Sequence, residues 1–229
     1  MKTNDSATAS IQPKLTLDDV RRAMQAPLPG WPAQRKMAPL HRDMIISQAT
    51  LDQARLSSVL VLLYPKQGEL HFVLTLRADT LNKHKGQISL PGGSCDPDDV
   101  DFIDTALRET HEELGIALEG IQVLGALSPM YVPPSNFLIH PIVAVTPIQP
   151  YFSPNVGEVA AIIEVPMSDL LNTALISIQQ RPATSMGGQL ISVPTFYANG
   201  HYVWGATAMI LAEFAELMQP TLSPERRHP

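Results

Sequence analysis

One stretch, residues 87–115, narrows the fold more than any other. A short apolar run, QISLPGG (87–93), stops on a glycine pair. A segment of helical periodicity follows at about 100–114 and ends in RETHEELG (108–115). Phe102, Ile103, Ala106, Leu107, Thr110 and Leu114 are spaced for one apolar face of a helix. Asp98 and Asp99 are placed to cap its N-terminus, and Gly115 stands where a left-handed C-cap belongs. Glu109, Glu112 and Glu113, at i, i+3 and i+4, share a face expected to point away from that stripe. Like charges so spaced cost a helix roughly 0.2–0.5 kcal/mol per pair. No Lys or Arg stands four residues further on to relieve them.

The flanking sequence supplies a sheet. SSVLVLLYP (57–65) reads as a buried strand and LHFVLTLRA (70–78) as its hairpin partner, with KQGE as the turn. Further strands are expected at 121–130, 137–147 and 159–167, and a hairpin at 187–205. SDLLNTAL (168–175) reads as a short helix and ATAMILAEFAELM (206–218) as a closing one. Strands outnumber helices in mixed order, which suggests a mixed sheet between helices. Residues 1–54 are expected to form an N-terminal arm. It holds a floppy lead, a short amphipathic helix at 15–26 and an extended proline-rich stretch at 27–43. The domain proper would span 55–220 and a flexible tail 221–229.

Composition removes several classes of function. The 229 residues carry a formal charge of −6, against the basic footprint of a nucleic-acid-coating protein. One cysteine, Cys95, excludes an internal disulfide framework. No run of about 18 apolar residues suggests a membrane span, and the polar N-terminus does not read as a signal peptide. The cytoplasm is therefore the expected location. There is no G-x-x-x-x-G-K-[ST] loop, G-x-S-x-G elbow, H-E-x-x-H or paired C-x-x-C.

Two readings of the acids compete. Charge runs are most often solvated helix faces. Carboxylates clustered at helical spacing beside a tight glycine turn also make a hard oxygen site for Mg²⁺ or Mn²⁺. A bound dication would turn the repulsion into a shared attraction.

The second reading is favoured by a resemblance. GGSCDPDDVDFIDTALRETHEELGI (92–116) is similar to the Nudix box, G-x5-E-x7-R-E-U-x-E-E-x-G-U, with U a bulky aliphatic residue. Gly93 fits the opening glycine, and Arg108, Glu109, Glu112, Glu113, Gly115 and Ile116 fit the second half. Asp99 stands in place of the first Glu, eight residues rather than seven separate it from Arg108, and Thr110 replaces an aliphatic residue. LTLRADTLNKHKGQISLPGG (74–93) further resembles the segment that marks the coenzyme A pyrophosphatase branch of that family. Thr75, Arg77, Ala78, Gly86, Pro91, Gly92 and Gly93 match, while Val73, Asn82 and Leu90 depart. An Asp at position 99 and the extra residue are usual in that branch.

The resemblance implies a Nudix-type α/β/α sandwich with a mixed sheet, and a metal-dependent hydrolase of a nucleoside diphosphate linked to another group. Coenzyme A or an acyl derivative is the substrate it implies, with ADP-ribose or a dinucleotide as the rival and a binding module without turnover as a rival of another class. Glu109 and Glu113, with Glu112 as a third ligand and the carbonyl of Gly92, would hold Mg²⁺ or Mn²⁺. Arg108 falls among the catalytic candidates, but is expected to pair with Asp99 and hold the loop. The general base stays open between Glu158, which is equally a candidate metal ligand, and Glu112 or Glu113. Arg77, Lys83, His84 and Lys85 would meet substrate phosphates, or else form a solvated loop. His111 is expected to be an exposed helix residue and His140 a hydrogen-bonded core histidine. The expected partner is a small nucleotide; a homodimer is compatible with the sequence.

Overall fold

In the computed structural model, residues 14–39, 46–78, 86–183 and 187–222 are described, with the backbone alone at 183 and 220–222. The central strand β1 (Arg55–Lys66) shows why its apolar run is continuous rather than alternating. Leu60, Leu62 and Tyr64 face one apolar cluster and Val61 and Leu63 the other, so both faces are covered. A two-residue turn, Gln67 and Gly68 at φ 50° and 80°, returns the chain into β2 (Glu69–Arg77). Positive φ at both positions matches the twist that a tight hairpin needs.

The run 87–93 divides into β3 (Ile88–Ser89), on β2, and β4 (Gly92–Ser94), on β1. Pro91 sits at the break, where its missing N–H costs nothing; its carbonyl accepts from Leu60 N–H at 2.9 Å. The expected strand 121–130 likewise becomes β5 (Gln122–Ala126) and β6 (Met130–Val132). Both pair antiparallel with β7 (Phe137–Val145), which itself runs parallel to β1. β8 (Val159–Pro166) closes the far edge of β2. The principal order is β3-β2-β1-β7-β5, a mixed sheet as expected.

A second, three-stranded sheet holds β9 (Ile176–Ala183), β10 (Gln189–Ala198) and β11 (His201–Val203). The last two are the expected hairpin. β9 lies outside the strands that the sequence predicts, and its apolar residues Ile176 and Ile178 are 43% and 55% exposed. Pairing with β10, not burial, defines it.

The helices are α1 (Leu17–Ala23), α2 (Trp31–Gln34), α3 (Gln48–Asp52), α4 (Phe102–Leu114), α5 (Met167–Leu170) and α6 (Gly205–Leu222). α4 covers one face of the main sheet through Ala106 and Leu114, and α6 covers the other through Met209, Phe214 and Met218. The result is the α/β/α sandwich.

The segment before residue 55 corrects the picture of an arm. Val20, Ala23 and Met37 are buried in the same cluster as α6. Residues 31–37 are helical rather than extended. A buried carboxylate holds them there. Glu213 on α6 accepts from Gly30 N–H at 3.0 Å, Ser128 N–H at 3.2 Å and Gln34 Nε2 at 2.8 Å. The expected helix 168–175 also shortens, to α5 and a separate 3₁₀ turn at Thr173–Leu175.

Candidate active site

The helix α4 is capped by Asp101, not by Asp98 or Asp99. Asp101 Oδ1 accepts from Ile103 and Asp104 N–H at 2.8 and 2.9 Å. The extra residue in the lead-in explains the shift, since it leaves Asp99 outside the helix and free to bind elsewhere. Asp99 accepts Arg108 Nε at 2.7 Å and Nη2 at 2.9 Å, together with Thr105 Oγ1 at 2.7 Å. Hydrogen bonding to Arg108 holds this carboxyl well below the usual range, and Asp99 in turn raises the Arg108 guanidinium. Arg108 Nη2 also donates to the Ser94 carbonyl at 3.2 Å. Arg108 thus fastens the loop to the helix, the arrangement expected of it.

Gly115 closes the helix at φ 62°, ψ 21°. A Cβ there would also stand 2.3 Å from the Ser153 carbonyl oxygen, so a glycine is required twice over.

The three acids do not share one environment. At 3.6 residues per turn Glu109 and Glu113 lie about 40° apart, with Glu112 about 60° to the outer side of Glu109. Glu112 is 52% exposed, Glu109 17% and Glu113 4% at the side chain. Glu113 therefore departs from the outward face expected of it and lies within the buried arc beside Thr105, Ala106, Thr110 and Leu114. The glycine pair makes this feasible. Gly92 N–H donates to Glu113 Oε2 at 3.2 Å, and Gly93 has no side chain to collide with the Glu109 carboxylate. Ile103, placed in the apolar stripe by periodicity, is instead 36% exposed.

Burial pushes the Glu113 carboxyl up to about 7. Gly92 N–H and Arg77 oppose the shift, and the charges of Glu109 and Glu158 add to it. Burial also raises Glu109 against the pull of Arg108, again with help from Glu112 and Glu158. Glu158, just before β8, is thus electrostatically part of the group. Arg77 joins it from the end of β2, where a register shift between Leu76 and Arg77 re-aims the strand. Its Nη1 stands 3.6 Å from Glu113 Oε1, and its Nε is buried without a hydrogen-bond partner. Lys83, His84 and Lys85 lie outside the described residues.

The remaining histidines fall away from the site. His111 is exposed and its Nδ1–H donates to the Ile116 carbonyl at 2.7 Å. His140 is only partly buried. It stacks on Phe102, centroids 3.5 Å apart and 6° from parallel, and its Nε2 has no partner. It is a stacked histidine rather than the hydrogen-bonded one expected.

As a donor set, Glu109, Glu112 and Glu113 suit a hard dication: all offer carboxylate oxygen, and burial with neighbouring negative charge raises the Glu109 and Glu113 carboxyls. Among the described residues no three His, Cys, Asp or Glu side chains form a ready-made ion cage. Arg108 Nη1, 3.1 Å from Glu109 Oε1, and Arg77 beside Glu113 hold these carboxylates instead. Asn155, which donates from Nδ2 to Glu158 Oε1 at 3.2 Å, was missed in the sequence. Its signal there is the Asn-x-Gly spacing of an Asx turn.

An acidic helix fastened by Arg108 and Asp99 over a glycine turn, within an α/β/α sandwich, defines a class. The NUDIX domain profile matches residues 54–184, and the chain belongs to the Nudix family. It is an enzyme, a pyrophosphohydrolase acting on a nucleotide-linked diphosphate, rather than a module without turnover. Among its relatives, the human mitochondrial coenzyme A diphosphatase NUDT8 is 38% identical over 169 residues, 72% of this chain and 70% of that protein. NudL of Photorhabdus laumondii, an uncharacterized Nudix hydrolase, is 39% identical over 147 residues, 64% of this chain and 76% of its own. The crystal structure of a NUDIX hydrolase from Alicyclobacillus acidocaldarius aligns at a TM-score of 0.45 and 19% identity, covering 52% of this chain and 82% of that one. Nudix hydrolases generally use divalent metals. Among the described residues no helix is long and apolar enough to cross a membrane.

Proposed function

We propose that the enzyme hydrolyses coenzyme A or an acyl-coenzyme A to 3′,5′-ADP and a 4′-phosphopantetheine moiety, with Mg²⁺ or Mn²⁺. The substrate class rests on the signature at 73–93 and on the activity in the name of the human relative. The observation that carries the chemistry is the burial of Glu113 against Gly92 N–H, among Glu109, Glu158 and Arg77.

Glu109 and Glu113, with the more exposed Glu112 and the Gly92 carbonyl, would hold the dication. When bound it neutralises the diphosphate and acidifies the attacking water. Arg77 offers its unpartnered Nε to a phosphate oxygen. Glu158 accepts the proton of the water as its oxygen attacks phosphorus, the bridging P–O bond breaks and the second phosphate leaves. Arg108 keeps the helix and loop in register through Asp99. A cytoplasmic location belongs to the same proposal, and fractionation tests it against the mitochondrial location in the relative's name.

The deciding experiment incubates the protein with Mg²⁺ or Mn²⁺ and coenzyme A, ADP-ribose or NADH, and separates products by chromatography. Cleavage of coenzyme A, abolished in Glu113→Gln with the fold retained, is expected. Cleavage of ADP-ribose but not coenzyme A would overturn the substrate. A Glu113→Gln variant of full rate would overturn the metal assignment.

A further inference from the structure

The loop 153–158, which carries Glu158, is tied to the site at both ends. Ser153 N–H donates to the Leu114 carbonyl at 2.8 Å and Asn155 N–H to the Glu113 carbonyl at 2.9 Å, so the loop hangs from the last turn of α4. Ala78 N–H donates to the Glu158 carbonyl at 2.8 Å, which ties the same loop to the end of β2 beside Arg77. Between these anchors stands one side chain that uses both halves of its amide. Asn155 Oδ1 accepts from Gly157 N–H at 3.1 Å, and Nδ2 donates to Glu158 Oε1 at 3.2 Å. Asn155 is one hydrogen bond from the backbone of Glu113 and one from the carboxylate of Glu158.

Resting on the reading of Glu158 as proton acceptor, we propose that Asn155 is a positioning residue that fixes the Glu158 carboxylate relative to the helix bearing Glu109 and Glu113. A free glutamate explores several rotamers, whereas a general base must sit within hydrogen-bond reach of the proton it takes. An amide donor suits the task. It orients one carboxylate oxygen without neutralising the group, as a lysine would, and the other oxygen stays available to the water. The plainer role of such an asparagine is to close an Asx turn. The two halves of the amide separate these roles: Oδ1 closes the turn and Nδ2 positions Glu158.

Asn155→Asp keeps an oxygen for Gly157 N–H and removes the donor to Glu158. Wild type, Asn155→Asp, Glu158→Gln and the double variant are compared for steady-state hydrolysis with Mg²⁺, using coenzyme A, or ADP-ribose if that is the diphosphate cleaved. Melting temperatures are measured alongside. Asn155→Asp is expected to melt like wild type, keep its KM and lose about 10–100-fold in kcat, the usual cost of removing a group that orients another. The double variant is expected to be no slower than Glu158→Gln alone. Full kcat in Asn155→Asp would overturn the proposal. So would a double variant slowed by the same additional factor, with Glu158 keeping its role. A Glu158→Gln variant of full kcat would overturn the role of Glu158 and that of Asn155 with it.

Discussion

Replacing Gly93 by alanine should slow the enzyme about 100-fold while leaving it folded. A Cβ on Gly93 would stand 2.4 Å from Glu109 Cδ and Oε2 and 2.5 Å from Oε1. Ordinary contact begins at about 3.5 Å, so the carboxylate must retreat by about 1 Å. Gly93 is not among the positive-φ residues, so its backbone takes alanine without strain. The clash falls on the mobile end of a side chain, and overpacking of this kind typically costs about 1–3 kcal/mol. Displacing a reacting group by about 1 Å costs about 100-fold in rate, or about 2.7 kcal/mol on the barrier. Gly92→Ala is the control with the opposite signature. Its Cβ would meet Ser58 O at 2.3 Å and Val59 Cα at 2.6 Å, on a backbone at φ 148°, so it should break the β1–β4 pairing and unfold the protein. Hydrolysis rates and thermal melts of the two variants, taken side by side, check this. Full rate in Gly93→Ala would show that Glu109 needs no fixed place. Melting as low as Gly92→Ala would show that the carboxylate cannot yield.

Two further outcomes concern buried charge. Measured without divalent ions, stability should fall as pH rises from about 4.5 to about 7. The folded state holds the Glu113 proton through that window while the unfolded chain releases it. The loss is on the order of 3 kcal/mol. Urea melts at pH 5 and 8 should show a steeper loss in wild type than in Glu113→Gln, which keeps only the smaller contribution of the raised Glu109 carboxyl; equal slopes would refute the burial of Glu113. Glu213→Ala leaves Gly30 N–H, Ser128 N–H and the Gln34 amide without their acceptor, and should cost about 2–5 kcal/mol. A melting temperature equal to wild type would deny the carboxylate its anchoring role.

Much of this was legible in the sequence for a local reason. β1, β2 and α4 announce themselves through apolar runs and periodicity, and Gly115 through the cap it must make. The Asp99–Arg108 pair was legible through the box resemblance. What escaped depends on contacts distant in sequence. Glu113 looks like a surface acid until Gly92, 21 residues earlier, brings its N–H to it. Asp101 takes the cap because of loop length, which periodicity does not measure. Met37 looks like part of a proline-rich arm until α6, far along the chain, packs against it. Asn155 matters only once its loop hangs from Glu113.

That packing has a practical side. Family bounds of 54 and 184 are tempting places to cut a gene, but they slice through a shared interior. Val20 and Met37 come from before the first cut, Phe214 and Met218 from after the second, and all share one apolar cluster with Val61 and Leu63. A fragment trimmed to those bounds would present one side of its sheet to water as a sticky surface, and belongs in the aggregated pellet rather than the assay tube.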